Sequence, residues 1–323
     1  MQRVIFTTIQ YYPEALKMLE LTLKSFFVFN KDFDFKVYCL DNSKDKFEEY
    51  FDKFEFENLE FINFKDCTKW NNYLEHLEND ELTDLEKKNF CISDDALFSF
   101  NINLTISKLE IIDLLLEKYD LVIASDIDIV FVDSLETSLC KFLESEKFLG
   151  STREYRVRCK FYSNAGFWVF NKSKKEVENI FDNCISLINT DLIYKTFGRP
   201  LKYIEQDLLS ILLNSKYEIP EIYCPIFHGD FKDFENACLI HYAGKEYKYF
   251  IGKLCYEKLI IPHFSITLKL CKEFYQNVAD LLEVEIQTKF LDLGYFQDIL
   301  AKKRIIMTLK RHYSRLKQKV EKF

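Results

Sequence analysis

Two carboxylates, Asp126 and Asp128, stand one residue apart in "ASDIDIVF", a run otherwise apolar enough for a buried strand. On extended backbone, side chains at i and i+2 point the same way, so both acids can address one point in space. Two carboxylates that close repel each other unless a cation lies between them. A divalent metal bridging them to a ligand diphosphate resolves that conflict. The same pair also fits a turn in which one Asp caps the backbone and the other is solvated. Further along lie a histidine in "LIHYAGKEYK", a small-residue run in "SNAGFWVFN" and the polar triplet "EQD" at 205–207.

These residues need a frame, and the apolar pattern supplies one. Val4 to Thr8 and Phe35 to Leu40 read as buried strands, with a helix from Pro13 to about Phe27 between them and Pro in a permitted first-turn position. A polar helix near 44–53 and a strand near 59–64 continue the alternation. A βαβα order predicts a parallel sheet covered by helices, whose ligands sit at the carboxyl ends of the strands. Residues 66–103 show helical pieces without a clear strand. "LTISKLEIIDLLL", 104–116, has helical spacing and leads into Leu121 to Ser125, a central strand that puts both acids just past its carboxyl end. A strand at "KFLGST", a second at "NAGFWVFN", helices near 173–189 and 204–214, and a short strand around "CLIHYAG" follow. From about 266 the pattern is helical to the end.

Composition narrows the chemistry. The chain has 323 residues, enough for one large α/β domain or for one domain with an appendage, and 48% of them are apolar. Its ten cysteines form no C-x-x-C pair, which disfavours a zinc ribbon or a redox dithiol and suits a reducing compartment. The opening "MQRVIFTTIQYYPEAL" is unlike a signal peptide, and no apolar run reaches the ~18 residues that span a bilayer. A cytoplasmic location is expected. Only seven residues are glycine, none spaced as a phosphate-binding loop, so a metal ion or lysines must hold any bound phosphate. Residues 301–323 carry nine Lys/Arg and one Glu within a chain of net charge −8. The acidic body argues against nucleic acid as a partner.

The order of "SDIDIVFVDSL", "SNAGFWVFN", "YIEQDLLS" and "IHYAGKEYK" resembles glycosyltransferase family 8, retaining enzymes that include bacterial lipooligosaccharide galactosyl- and glucosyltransferases. The likeness runs over roughly residues 3–250. It implies a GT-A (Rossmann-like) α/β fold: a mixed, mostly parallel sheet flanked by helices, in a domain spanning 1–265, with a helical C-terminal region at 266–323. Asp126, Ile127 and Asp128 match the family's D-x-D, which holds Mn²⁺ against the donor diphosphate, and His241 matches the third metal ligand. Two carboxylates and an imidazole suit Mn²⁺, whereas an all-oxygen site suits Mg²⁺ better. Without the resemblance, His241 reads more simply as a hydrogen-bonded core histidine.

The same resemblance implies roles elsewhere. Gly244 matches a glycine that lets backbone approach the phosphates, while Tyr247 stands where the family has Lys, leaving Lys245 or Lys248 to face the leaving diphosphate. Asn164, Ala165 and Gly166 are implied beside the donor sugar, the small residues leaving room for a pyranose; a turn before a core strand uses the same residues. In "EQD", Glu205 replaces an Asp, Gln206 falls near the anomeric carbon, and Asp207 falls where an acid binds sugar hydroxyls or acts as nucleophile. Acids there also suit the first turn of a helix. "TTIQYY" resembles the nucleotide loop, with Thr7 and Thr8 at the nucleotide and Tyr12 stacked on uracil, and Lys108 stands for an Arg that reaches the diphosphate.

The implied reaction moves a hexose from UDP-glucose or UDP-galactose to a saccharide or glycolipid acceptor in lipopolysaccharide or other surface-glycan synthesis. Two other readings compete. "DIDIV" also fits the nucleophile motif of haloacid-dehalogenase-like phosphatases, though it lies more than a hundred residues in and no late acidic pair follows. A non-catalytic sugar-nucleotide or membrane-surface binding protein is the other. Ile306, Leu309, Tyr313, Leu316 and Val320 make an apolar stripe opposite Lys/Arg, as in a helix lying on an anionic membrane, docked on the acidic body, or in a coiled coil.

Overall fold

The structure is a computed structural model that describes residues 1–241 apart from positions 12, 41, 65–67, 79–81, 91–99, 132, 154–161, 214 and 225–235. In chain order its elements are β1 (Arg3–Ile9), α1 (Pro13–Phe29), β2 (Asp34–Cys39), α2 (Lys44–Phe51), β3 (Leu59–Asn63), α3 (Thr68–Glu78), α4 (Asp84–Phe90), α5 (Phe100–Lys118), β4 (Leu121–Ser125), β5 (Ile129–Phe131), α6 (Glu136–Glu144), β6 (Leu149–Arg153), β7 (Ser163–Asn171), α7 (Ile180–Ile188), α8 (Leu192–Phe197), α9 (Ile204–Leu212), β8 (Tyr217–Glu218) and β9 (Leu239–His241).

Seven strands form one sheet in the order β3-β2-β1-β4-β7-β6-β8, and β5 pairs with β9 in a second. β1 runs parallel to both β2 and β4, and β2 parallel to β3. β7 is inserted antiparallel between β4 and β6. The sheet is therefore mixed and mostly parallel on one side, with helices on both faces, as expected for a GT-A fold. The chain builds β1, β2 and β3 outward on one side, then crosses back to lay β4 on the other, so the strand order reverses between β1 and β4. Such a switch point opens a crevice at the carboxyl ends of the strands. Asp126 and Asp128 follow β4 directly into it.

Two apolar cores clamp the sheet. Ile5, Ile123, Phe167 and Val169 pack toward α1, with Leu23 and Phe26, while Val4, Ala124, Trp168 and Phe170 pack toward α5 and α9, with Ile112 and Leu208. All nine residues of β7 are buried, as in a strand covered on both faces, with its apolar run at Phe167–Phe170. On α5, spaced one turn apart, two acids fasten neighbouring helices. Glu110 accepts from the backbone N–H groups of Lys69 (3.1 Å) and Trp70 (2.7 Å), in the first turn of α3. Asp113 accepts from those of Ile180 (2.9 Å) and Phe181 (2.8 Å), opening α7. Both satisfy N–H groups that have no partner within their own helix.

Candidate functional site

The acidic pair lies on a turn rather than on a strand. β4 ends at Ser125, residues 127 and 128 form the turn, and β5 begins at Ile129. The backbone N–H of Asp126 donates to Gly166 O on β7 at 3.0 Å, so the antiparallel partner of β4 grips the chain where it leaves the sheet. Convergence of the two side chains therefore comes from a turn, in place of the extended spacing expected from sequence. The reason is topological: β5 departs to pair with β9, and the chain must bend between β4 and β5.

β9 brings the third group. His241 pairs in register with Ile129, two residues past the acidic pair's midpoint. Its Nε2 lies 3.6 Å from Asp126 Oδ2 and 3.4 Å from Asp128 Oδ1, and the residue is 5% exposed. Burial disfavours the imidazolium, but the carboxylates of Asp128 and Asp126 outweigh it and push the histidine pKa up to about 9. The ligand atoms of Asp126, Asp128 and His241 all lie within 4.8 Å of one another. With metal–ligand bonds of about 2.0–2.5 Å, atoms on opposite sides of one divalent ion stand about 4–5 Å apart. The three groups thus fit around a single ion, and among the described residues this is the one cluster of its kind.

Two further charged groups border it. Lys108, buried on α5, pairs through Nζ with Asp126 Oδ1. Glu205, at the start of α9, is buried with Oε2 lacking a hydrogen-bond partner among the described residues. Burial pushes the Glu205 carboxyl above the usual carboxylate range, and the neighbouring Lys108 only partly offsets this. A buried, under-satisfied carboxyl beside Lys108 makes Glu205 a candidate functional position. The sequence flagged Glu205 only as a departure from a motif.

The two polar motifs turn out to be one structural unit. Gln206 Oε1 accepts the Ala165 N–H at 2.9 Å, which also fixes the orientation of its amide, because only the oxygen can accept. Asn164 Oδ1 accepts from the Gly166 N–H at 2.9 Å. Asp207 is fully buried and holds five donors: Arg199 as a fork at 2.7 and 2.9 Å, the Tyr162 hydroxyl at 2.6 Å, and the backbone N–H groups of Lys202 (2.8 Å) and Tyr203 (3.4 Å). Burial and the Asp207 charge keep Tyr162 a phenol, and the Asp207 carboxylate raises the Arg199 guanidinium further. α9 is thereby buckled to the start of β7. Gly166 itself faces His241: a Cβ built there would stand 2.7 Å from Nε2 and closer still to Cε1 and Nδ1.

Thr7 and Thr8 lie in the last three residues of β1, and adjacent strand residues face opposite sides of a sheet. Both are buried, and Thr7 Oγ1 has no hydrogen-bond partner among the described residues. Ile127 is half-buried on the acidic turn. Tyr12, Gly244, Lys245, Lys248 and the whole of 266–323 lie outside the described residues, as does the boundary expected at 265. Among the described residues no helix is long and apolar enough to cross a membrane.

A mostly parallel α/β sheet with a two-aspartate turn at its switch point, faced by an imidazole, belongs to the GT-A class of glycosyltransferase folds. The family model described as Glycosyl transferase family 8 matches residues 4–249, and the chain belongs to that family. Similar solved structures include mouse xyloside xylosyltransferase 1 in its apo form, at 12% identity and TM-score 0.54 over 76% of this chain and 98% of that one. Another is the galactosyltransferase LgtC in complex with donor and acceptor sugar analogs, at 16% identity and TM-score 0.50 over 79% of this chain and 95% of that one. At such identities the likeness carries the fold alone. No curated protein gives a significant sequence match. Family membership supports sugar transfer, and the phosphohydrolase and non-catalytic readings are not favoured.

Proposed function

We propose that the chain transfers a hexose from a UDP-sugar, with UDP-glucose or UDP-galactose as donor, to a saccharide hydroxyl with retention of configuration. The observation that carries this reading is the convergence of Asp126, Asp128 and His241 within 4.8 Å at the carboxyl ends of the parallel strands. That donor set suits Mn²⁺, with Mg²⁺ as the harder alternative. When bound, the ion supplies positive charge to the leaving diphosphate. Lys108 adds a second cation at the same place. Gln206, tied to Ala165, presents the rest of its amide to the donor beside Asn164 and Gly166. Glu205 offers a second carboxyl to the sugar hydroxyls.

Asp207 takes a positioning role in this reading. A nucleophile needs a lone pair aimed at the anomeric carbon, and five donors occupy both Asp207 oxygens. Retention then follows attack by the acceptor hydroxyl on the face the diphosphate leaves, the departing phosphate taking the proton. Thr7, Thr8 and Tyr12 are assigned to the nucleotide, and Gly244 with Lys245 or Lys248 to the diphosphate, on the motif match alone. The same holds for an acceptor in lipopolysaccharide or surface-glycan synthesis, and for residues 301–323 resting on the cytoplasmic face of an anionic membrane, a reading supported by their basic, amphipathic pattern.

The test is hydrolysis of UDP-glucose, UDP-galactose and UDP-N-acetylhexosamines with and without Mn²⁺. One UDP-hexose should be cleaved only with metal, and Asp126→Ala or Asp128→Ala should lose more than about a hundredfold, beyond the tenfold to hundredfold typical of changes behind a metal ligand. Metal-independent activity that survives both substitutions would refute the reading.

A further inference from the structure

Thr22 sits in the middle of α1, 1% exposed, with its hydroxyl surrounded by three carbonyl oxygens. Met18 O, at 3.1 Å, is the ordinary partner of a helical threonine four residues back. The other two come from far along the chain: Ile127 O at 2.7 Å and Ile129 O at 2.9 Å. They are the carbonyls on either side of Asp128. Ile129 is also the residue that pairs with His241 across β5 and β9.

The rest of that helix face continues the pattern. Ser25 Oγ, three residues on, accepts from the Phe131 N–H at 3.1 Å, and Asn30 Oδ1 accepts from the Leu135 N–H at 2.9 Å. All three side chains are buried, Thr22 and Ser25 in a helix face otherwise made of Leu19, Leu23 and Phe26, and Asn30 just past the end of α1. Buried polar groups on an apolar helix face cost stability unless they do something for their partners. Here each one holds a point on the segment 127–135. Ser25 and Asn30 grip β5 and the start of α6, but Thr22 alone touches the acidic turn.

We propose that Thr22 is a positioning residue for the metal-ligating groups: its hydroxyl fixes the backbone on both sides of Asp128 and, through Ile129, the strand that carries His241. This rests on the metal reading of the site given above. A hydroxyl owns one proton, which Ile127 O and Ile129 O, the two nearer acceptors, share or alternate over with Met18 O. Either way, the turn cannot rotate Asp128 away from His241 without abandoning that donor. A merely space-filling threonine would affect folding and leave the ligands' convergence unchanged.

The experiment is Mn²⁺ binding to the whole chain, followed by the electron paramagnetic resonance of free Mn²⁺, for Thr22→Val, Thr22→Ser and Asp128→Ala, with metal-free thermal unfolding alongside. Valine keeps the shape and removes the donor; serine keeps the donor and removes the methyl. Thr22→Val should bind Mn²⁺ about 10–100-fold more weakly, as for other groups that orient ligands, while Thr22→Ser stays within about threefold of the natural protein. Should the valine variant not fold, Thr22→Cys against Thr22→Ser compares a weak with a strong donor at similar size, and the cysteine variant should bind more weakly. Unchanged Mn²⁺ affinity in Thr22→Val or Thr22→Cys, with Asp128→Ala defective, overturns the role of Thr22 and leaves the metal site standing. If Asp128→Ala binds as the natural protein does, the metal reading falls and this inference falls with it.

Discussion

Gly166 on β7 and His241 on β9 touch so closely that no side chain could stand at position 166: an added Cβ would overlap the imidazole at Cε1, Nδ1 and Nε2. The glycine of "SNAGFWVFN" was expected to clear space for a pyranose ring. In the structure its missing side chain makes room for the imidazole of His241, a candidate metal ligand. Neither residue can shift freely, since Gly166 O holds the Asp126 N–H and His241 is paired to Ile129. Gly166→Ala should therefore displace the imidazole while leaving the sheet intact. Overpacking of this kind costs about 1–3 kcal/mol of stability, and Mn²⁺ affinity should drop about 10–100-fold. Thermal unfolding together with a Mn²⁺ titration checks both; normal affinity would mean that the ring can tilt aside.

Protonation of His241 makes the site pH-sensitive, with opposite signs for folding and for metal binding. In the metal-free protein the imidazole pKa stands at about 9, against about 6.5 for an unperturbed histidine. A raised folded-state pKa contributes stability that is complete below about pH 6.5 and is lost as pH climbs toward 9. Metal binding requires the neutral imidazole and so displaces that proton, and Mn²⁺ affinity should rise by up to roughly tenfold per pH unit across the same window. Melting temperatures between pH 6 and 9.5 should fall with pH in the metal-free protein, and the rise that Mn²⁺ adds to them should widen over the same range. His241→Gln should flatten both trends; an unchanged pH profile in that variant would assign them to another group.

The buckle between α9 and β7 separates two roles for Asp207. If it is the positioning anchor proposed above, Arg199→Met and Tyr162→Phe should lower kcat by displacing Gln206, although neither residue touches the donor. Breaking one partner of a buried ion pair costs about 3–5 kcal/mol; the half-exposed Arg199 brings the expected cost for Arg199→Met toward the lower end of the usual 0.5–3 kcal/mol for single substitutions. Intact-mass measurement during turnover of the donor should show no hexose bound to the protein. A hexosyl ester on Asp207 would restore the nucleophile reading.

These tests fall on residues of unequal legibility in the sequence. β4 was legible because Leu121–Ser125 is one apolar run, and the acidic pair because two carboxylates have no reason to end such a run in a packed core. β5 was not, since "IVF" continues that run and only pairing with β9 makes it a separate strand. α3 and α4 were legible only as helical pieces within 66–103, and α8 was not legible, because such short helices give too few turns for a periodic signal and lean on partners distant in sequence. Glu86 closes a local capping box with Thr83 and also binds Asn189, while Asn89 reaches the carbonyls of Ile188 and Thr190. Thr22 gave no signal at all, because a threonine in an apolar helix face looks like a β-branched core residue until its acceptors are seen.

The same blindness applied to Glu110 and Asp113, which gave no signal of their own within the helical run 104–116 and which cap α3 and α7. α5 also carries Lys108 to the site, so these caps sit on the rod that positions the lysine paired with Asp126. Burial pushes the Asp113 carboxyl above its usual range despite the two N–H donors facing it. The acceptor atoms therefore matter more than the charge. Losing a cap costs about 0.5–2 kcal/mol, and Asp113→Ala should reach the upper part of that range, since it strands the Ile180 and Phe181 N–H groups together. Asp113→Asn keeps one acceptor and should cost about half as much. For a body of this size the alanine variant should melt about 2–8 °C lower, at about 2–4 °C per kcal/mol. Mn²⁺ affinity should stay within twofold or so, because the caps lie on turns of α5 beyond Lys108 and touch none of the three ligands. An equal loss in both variants would show that the negative charge, acting on the N-terminus of α7, carries the interaction instead.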